Sequence, residues 1–425
     1  MTVFSDAIAT LNSEFDRVNA ELVSARADDA ADAATIASLR AEVARLQAII
    51  DGTPPVEPPV EPPVEPPVEP PVEPPAPTTG QLYGPTGLNK FAVTAGPFTQ
   101  IHIVAPTWDA ISNQITACQG HPGVCKIELT PGTLPSGTSA SSSTSGVLSN
   151  VGSTAKRVYV TPRDGYGSVR IASSSTGTAI VGVKGVVFDY IDFFGTSGVM
   201  IRNCENVGLG HTRLKTLLGT ANGGNGLRDI EFVEVVGGPE MVTNVGYDRS
   251  QFKTASGAPM SNIKFRGCYF APNWKANGDS GHCDTIQFEK LSGGGNISGT
   301  SFDKTVLFRS ADQCVQTNSS TGGSFKDSAF FGNEVTSKRY PLYPGGDPAT
   351  LDNTLNGTWT GIAAENVVVS GSVRYSFSSV VNCKTSVSTS ASGWVVDPSI
   401  ASMSLATLDI IAPVPSEARI ASLWQ

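Results

Sequence analysis

WDAISNQITACQGHPGVCKIELTPGTL, residues 108–134, joins two short patterns. Ile111, Ile115 and Cys118 recur at helical spacing, which predicts a short amphipathic helix near 108–118 with one apolar face. Val124, Ile127 and Leu129 then start a strand, and Pro131–Gly132 turns it. A helix that lays an apolar face beside a first strand is what a stack of strands needs at its open end, where unpaired backbone would otherwise template aggregation.

Downstream, short β-branched and aromatic runs recur: VYVTP (158–162), VVFDYIDFF (186–194), LRDIEFVEVV (227–236), NIKFRGCYF (262–270), NISGTSFDKTVLF (296–308), SFKDSAFFG (324–332) and ENVVVSGSVRYSF (365–377). Ile230, Ile263, Ile297 and Phe325 lie 33, 34 and 28 residues apart. That quasi-period fits one coil of a solenoid with variable loops; it is too long for successive hairpins. Few helical patterns intervene, which disfavours a doubly wound α/β sheet.

Upstream the character changes twice. Phe4, Ile8, Leu11, Phe15, Val18, Leu22 and Ala25, then Ile36, Leu39, Val43, Leu46 and Ile50, keep an alternating 4–3 spacing, so residues 1–52 read as a coiled-coil oligomerisation or attachment helix. Asp29 and Asp32 fall at core positions and loosen its centre. Gly52 and Pro54–Pro55 stop the helix. PPVE then repeats five times, making residues 53–80 a polyproline-II spacer, whose 24 residues from Pro54 to Pro77 reach about 70–75 Å at roughly 3.1 Å per residue. Residues 81–400 form the solenoid, and 401–425 are read as a segment closing its distal end, with Leu423 and Trp424 over the last coil.

Charge follows the same division. The chain carries −9 overall, but residues 1–80 hold 14 of its 38 acids and 4 of its 29 bases. The remainder is near neutral, with no basic face for nucleic acid. No stretch approaches the roughly 18–20 apolar residues of a membrane helix, and the first residues lack the pattern of a secretory signal. Seven cysteines without a CxxC pair argue against a disulfide framework and a structural zinc site, although Cys118 and Cys125 are close enough in sequence to bridge. The four histidines are scattered; no metal and no cofactor are expected.

The 108–134 segment resembles the opening of the pectate-lyase-like superfamily, whose members are right-handed parallel β-helices capped by a short helix. Heptad arm, PPVE spacer and β-helix together look like minor tail proteins of phages that infect actinobacteria. The resemblance implies a mainly β fold, a pectin-lyase-like solenoid joined to an α-helical coiled coil. It also implies a homotrimer made in the host cytoplasm and carried at the virion's tail tip, where the N-terminal helix meets other tail-tip proteins. The expected role is recognition of a host surface polysaccharide, or its cleavage by a polysaccharide lyase or glycoside hydrolase.

Chemistry concentrates in NWKANGDSGHCDTIQFEKL (273–291). With Ile286 and Phe288 inward, alternation points Thr285, Gln287 and Glu289 outward. SADQCVQTNSS (310–320), one coil later, stacks Gln316 on Gln287 and Asn318 near Glu289. His282 and Asp284 stand at the edge of that ladder in an HxDxIQ pattern, which resembles one found in many proteins of the superfamily. Glycan-binding candidates are Trp274 as a sugar-stacking plane, Lys275, Gln287, Glu289, Gln316 and Asn318. Catalytic candidates are Asp284, His282 and Asp312, with Asp279 and Glu289 as further carboxylates. Hydrolysis needs two carboxyl groups about 5–10 Å apart. A lyase needs a base, for which His282 stands, and a cation, for which Lys275 or Arg309 stands. The same residues also admit a plain reading: amide ladders stabilise stacked coils without ligand, and Asp or His beside turns cap backbone donors.

Overall fold

The computed structural model describes residues 80–91, 98–136, 147–175, 177–224, 226–238, 247–276, 278–341 and 353–425. The heptad arm and nearly all of the PPVE spacer lie outside them.

Among the described residues, 26 strands join into one sheet and Gly132–Leu134 with Val169–Ile171 into a small second one, and the ladders between named strands are all parallel. The register resolves the large sheet into three stacks, so each turn of chain adds a strand to each face of a parallel β-helix. One stack runs through Gln100–Val104, Cys125–Leu129, Val158–Pro162, Val186–Asp189 and on to Met260–Arg266 and Ser324–Lys326. A second runs through Thr178–Val181, Val199–Arg202, Leu217–Asn222, Ser250–Ala255, Asp284–Lys290 and Gln313–Thr321. The third includes Tyr269–Phe270, Val306–Phe308, Ala329–Phe331 and Val368–Ser370.

Inward-facing side chains at matching register positions make the core a set of files along the axis. Phe232, Phe265, Phe302 and Phe325 occupy one register position in successive coils. Their rings stack at 5.0 Å and 4.9 Å, then turn edge-on at 5.3 Å. The coils they mark have 33, 37 and 23 residues (232 to 265, 302 and 325). Ile230 does pair with Ile263, but Ile297 pairs with Met260, and Phe325 with Phe302. The expected file through Ile263, Ile297 and Phe325 is therefore corrected: insertions between strands absorb the differing lengths. Turns often use left-handed residues, and asparagines there bond to the preceding coil. Asn262 donates to Asp229 (2.9 Å) and Asn366 to Asp327 (2.8 Å), with φ of 55° at both asparagines.

The expected cap helix spans Trp108–Gln119, with Thr107 as its N-cap. It buries Trp108, Ile111, Ile115 and Cys118 over the first coils.

Both ends of the solenoid region differ from the sequence reading. Residues 80–91 form no coil; they run along the outside. The amides of Leu82 and Tyr83 donate to Ile411 O at 2.9 Å, and Gly84 N donates to Lys304 O at 2.8 Å. The C-terminal helices Leu405–Ile411 and Glu417–Leu423 also fold back along the side and do not close the distal end. Trp424 packs edge-on against Tyr166 and His211, and its indole donates to Glu234 at 2.9 Å. Glu234, fully buried, also accepts from the amides of Thr86, Gly87 and Asn89, so one carboxylate fastens both flanking segments. Burying a carboxylate is costly unless several donors meet it, and here they do. The last strand, Val395–Val396, keeps both side chains exposed.

Candidate functional site

The strand Asp284–Lys290 begins where a turn delivers His282, and it lies between Ser250–Ala255 and Gln313–Thr321. Ile286 and Phe288 are buried inward, which turns Gln287 outward. Gln287 stacks on Gln316, and also on Gln251 from the preceding coil. That position continues in both directions. Ala179, Met200, Leu218, Gln251, Gln287, Gln316 and Asn356 are consecutive register partners. The file is apolar at its proximal end and amide-bearing at its distal end, with a step of about 4.8 Å per coil.

A groove of about 330 Å³ lies on this face, lined by Met200, Leu218, Tyr247, Asp248 and Gln251 together with Gly177, Ser197, Gly198 and Thr216. Tyr247 is 49% exposed. Gln251 donates to Gln287 Oε1 (2.6 Å) and to Asp248 Oδ2 (2.8 Å). Asp248 Oδ1 accepts from the backbone amide of Asp284 at 2.7 Å. One polar network thus joins the groove to the HxDxIQ segment.

Within that network, Asp248, His282 and Asp284 offer donor atoms within 4.8 Å of one another, a set that could also hold a hard cation. His282 is exposed and its Nδ1 stands 2.9 Å from Asp284 Oδ2 and 3.7 Å from Asp248 Oδ1. The facing carboxylates, Asp248 first and then Asp284, push the imidazole up to about 10. Asp284 is fully buried, and no aligned hydrogen-bond donor meets its carboxyl oxygens among the described residues. Burial pushes its carboxyl up to about 7, against the opposing pull of His282. The arrangement holds a protonated imidazole over a carboxyl poised near neutrality.

Several expected assignments are corrected. Trp274 is fully buried in a side cluster that also holds Tyr83, Tyr269 and Trp424, and it offers no plane to a sugar. Thr285 faces no solvent; its hydroxyl donates to Phe308 O at 2.6 Å. Lys275 is held by both Asp312 oxygens (2.7 and 3.0 Å), and Asp312 also accepts from Cys283 N (2.7 Å). Asp312 is thereby a clamp on its own turn. Arg309, 1% exposed, donates twice to Asp312 O, so neither Lys275 nor Arg309 stands as the free cation of a lyase. His282, protonated at neutral pH, is an acid there and not a base. Asp279 caps its turn by accepting from Gly281 N. Glu289 pairs with Lys253 at 3.1 Å, and Asn318 bonds both backbone groups of Lys290.

Sequence reasoning missed Tyr247, Asp248 and Gln251. Asp248 lies 36 positions before Asp284, so a correct coil length would have stacked the two segments. It also missed a second cluster, His102, Cys118 and Cys125, in the cap, where scattered residues were expected to meet no metal.

No family model matches the chain, and no curated protein matches it in sequence. Among solved structures, it is similar to the PL6 family alginate lyase AlyGC, at 13% identity and TM-score 0.32 over 67% of this chain and 38% of that one. It is also similar to the A-module of Azotobacter vinelandii mannuronan C-5 epimerase AlgE6, at 13% identity and TM-score 0.30 over 68% of this chain and 95% of that one. ORF18 of Geobacillus virus E2 matches at 11% identity and TM-score 0.22 over 66% of this chain and 59% of that one. Likeness at this level carries no substrate or activity across.

Proposed function

We propose that this chain is a phage tail-tip protein whose right-handed β-helix recognises a host cell-surface glycan during adsorption. In this reading the N-terminal coiled coil forms a homotrimer and meets other tail-tip proteins, and the proline-rich spacer holds the β-helix away from the tail. The observation that carries the glycan assignment is the outward file from Met200 to Asn356 beside exposed Tyr247. A sugar presents apolar C–H faces and a rim of hydroxyls. Met200, Leu218 and Tyr247 suit the faces, while Gln251, Gln287, Gln316 and Asn356 suit the hydroxyls at the repeat of the coils.

One observation favours a second reading, a tail-borne depolymerase. Asp248 and Asp284 approach within 4.8 Å, near the spacing of about 5–5.5 Å of retaining glycoside hydrolases. Asp284, pushed up to about 7, would be the proton-bearing partner.

Incubation of the purified chain with host envelope polysaccharide separates the two. New reducing ends or unsaturated uronate absorbance, lost in Asp284→Asn, establish cleavage. Intact polysaccharide that stays bound establishes recognition alone. Neither binding nor cleavage contradicts both.

A further inference from the structure

The cap at the start of the solenoid gathers residues that the sequence scatters over 24 positions. His102 comes from the edge strand Gln100–Val104, Cys118 from the last turn of the cap helix, and Cys125 from the first residue of the next strand. Their donor atoms lie within 4.8 Å of one another. Both thiols are buried, whereas His102 is half-buried, which leaves an approach from the surface. Gln100 accepts from His102 Nε2 at 3.0 Å, a partner that fixes the ring and leaves Nδ1 its lone pair. The same carboxamide donates to His121 Nδ1 at 2.9 Å, and the His121 ring is centred 6.0 Å from that of His102. Locally the chain reads Cys118-x2-His121-x3-Cys125, the close spacing by which one turn supplies several ligands.

We propose that His102, Cys118 and Cys125 form a binding site for a zinc-class ion, with His121, whose ring lies beside that of His102, as the imidazole that would turn in to the fourth tetrahedral position. Two thiolates with imidazole are the ligand set of a structural zinc, and they differ in kind from the oxygen-rich Asp248–His282–Asp284 group. Binding releases the two thiol protons, and no electron moves. The ion would fasten the edge strand, the cap helix and the second strand at the end of the solenoid where Gln100–Val104 has a ladder partner on a single side. Closing the 102–125 loop stabilises the cap by restricting the unfolded chain. The glycan reading is independent of this site.

The test uses the full chain, produced and purified under reducing conditions, and measures bound metal after dialysis against Zn²⁺. Co²⁺ substitution then reports the ligands, because thiolate ligation gives a charge-transfer absorption that carboxylates do not. The expected result is one zinc per chain, a thiolate–cobalt band, and a lower melting temperature after chelation. Cys125→Ser loses the band, and His282→Ala keeps it. Because Cys125 is buried and its variant could misfold, His102→Ala at a half-buried position is the second arm: it stays folded and loses the bound metal. A folded, reduced chain that retains no zinc overturns the proposal. So does a cobalt spectrum without a thiolate band, or a Cys118–Cys125 disulfide in freshly isolated protein.

Discussion

His282 shows how much a neighbour decides at the scale of a residue. Its ordinary value of 6.5 rises to about 10 because two carboxylates face it, so the folded state holds its proton more tightly than the unfolded chain does. That contribution to stability is fully present below about pH 6.5 and is lost as the pH rises through about 10. Asp284 acts with the same sign lower down: raised from 3.8 to about 7, it favours folding below its ordinary value and withdraws that contribution as the pH rises through 7. Melting temperatures of wild type and His282→Gln should therefore differ most near pH 6 and converge towards about pH 10. A difference that stays constant across that range contradicts the assignment. The stacking of Gln287 on Gln316 was legible in the sequence because alternation and one neighbouring coil suffice to place it. The burial of Trp274 was not, because the cluster it belongs to gathers residues as distant in sequence as Tyr83 and Trp424.

Elements were legible where their periodicity is local. The cap helix and its apolar face follow from the spacing of Ile111, Ile115 and Cys118, and the core strands from alternation. Register was not, since coils of 33, 37 and 23 residues hide insertions that only the pairing of Phe265, Phe302 and Phe325 locates. The C-terminal segment was misplaced for a related reason: a seven-residue helix with one buried residue carries no record of the surface it covers. Their docking rests on Trp424, which is 1% exposed and donates to the buried Glu234. Trp424→Ala should cost about 3–5 kcal/mol in chemical denaturation, while Trp424→Phe, which leaves Glu234 one donor short, should cost about 1–3 kcal/mol. Equal stability of all three proteins would mean that these helices do not fasten the solenoid.

For the whole molecule, the proposal joins three parts of different character: an acidic heptad arm, a proline spacer and a near-neutral β-helix. The arm predicts self-association. Light scattering of the full chain at micromolar concentration should give three times its 44.2 kDa mass, and a monomer would remove the trimer. The glycan assignment rests on one face of the solenoid, and Tyr247 is its most exposed aromatic contributor. Calorimetric titration of host envelope polysaccharide into wild type and Tyr247→Ala tests it most directly. Loss of about tenfold or more in affinity, with an unchanged melting temperature, is the predicted result. Wild-type affinity in Tyr247→Ala would contradict glycan recognition on this face.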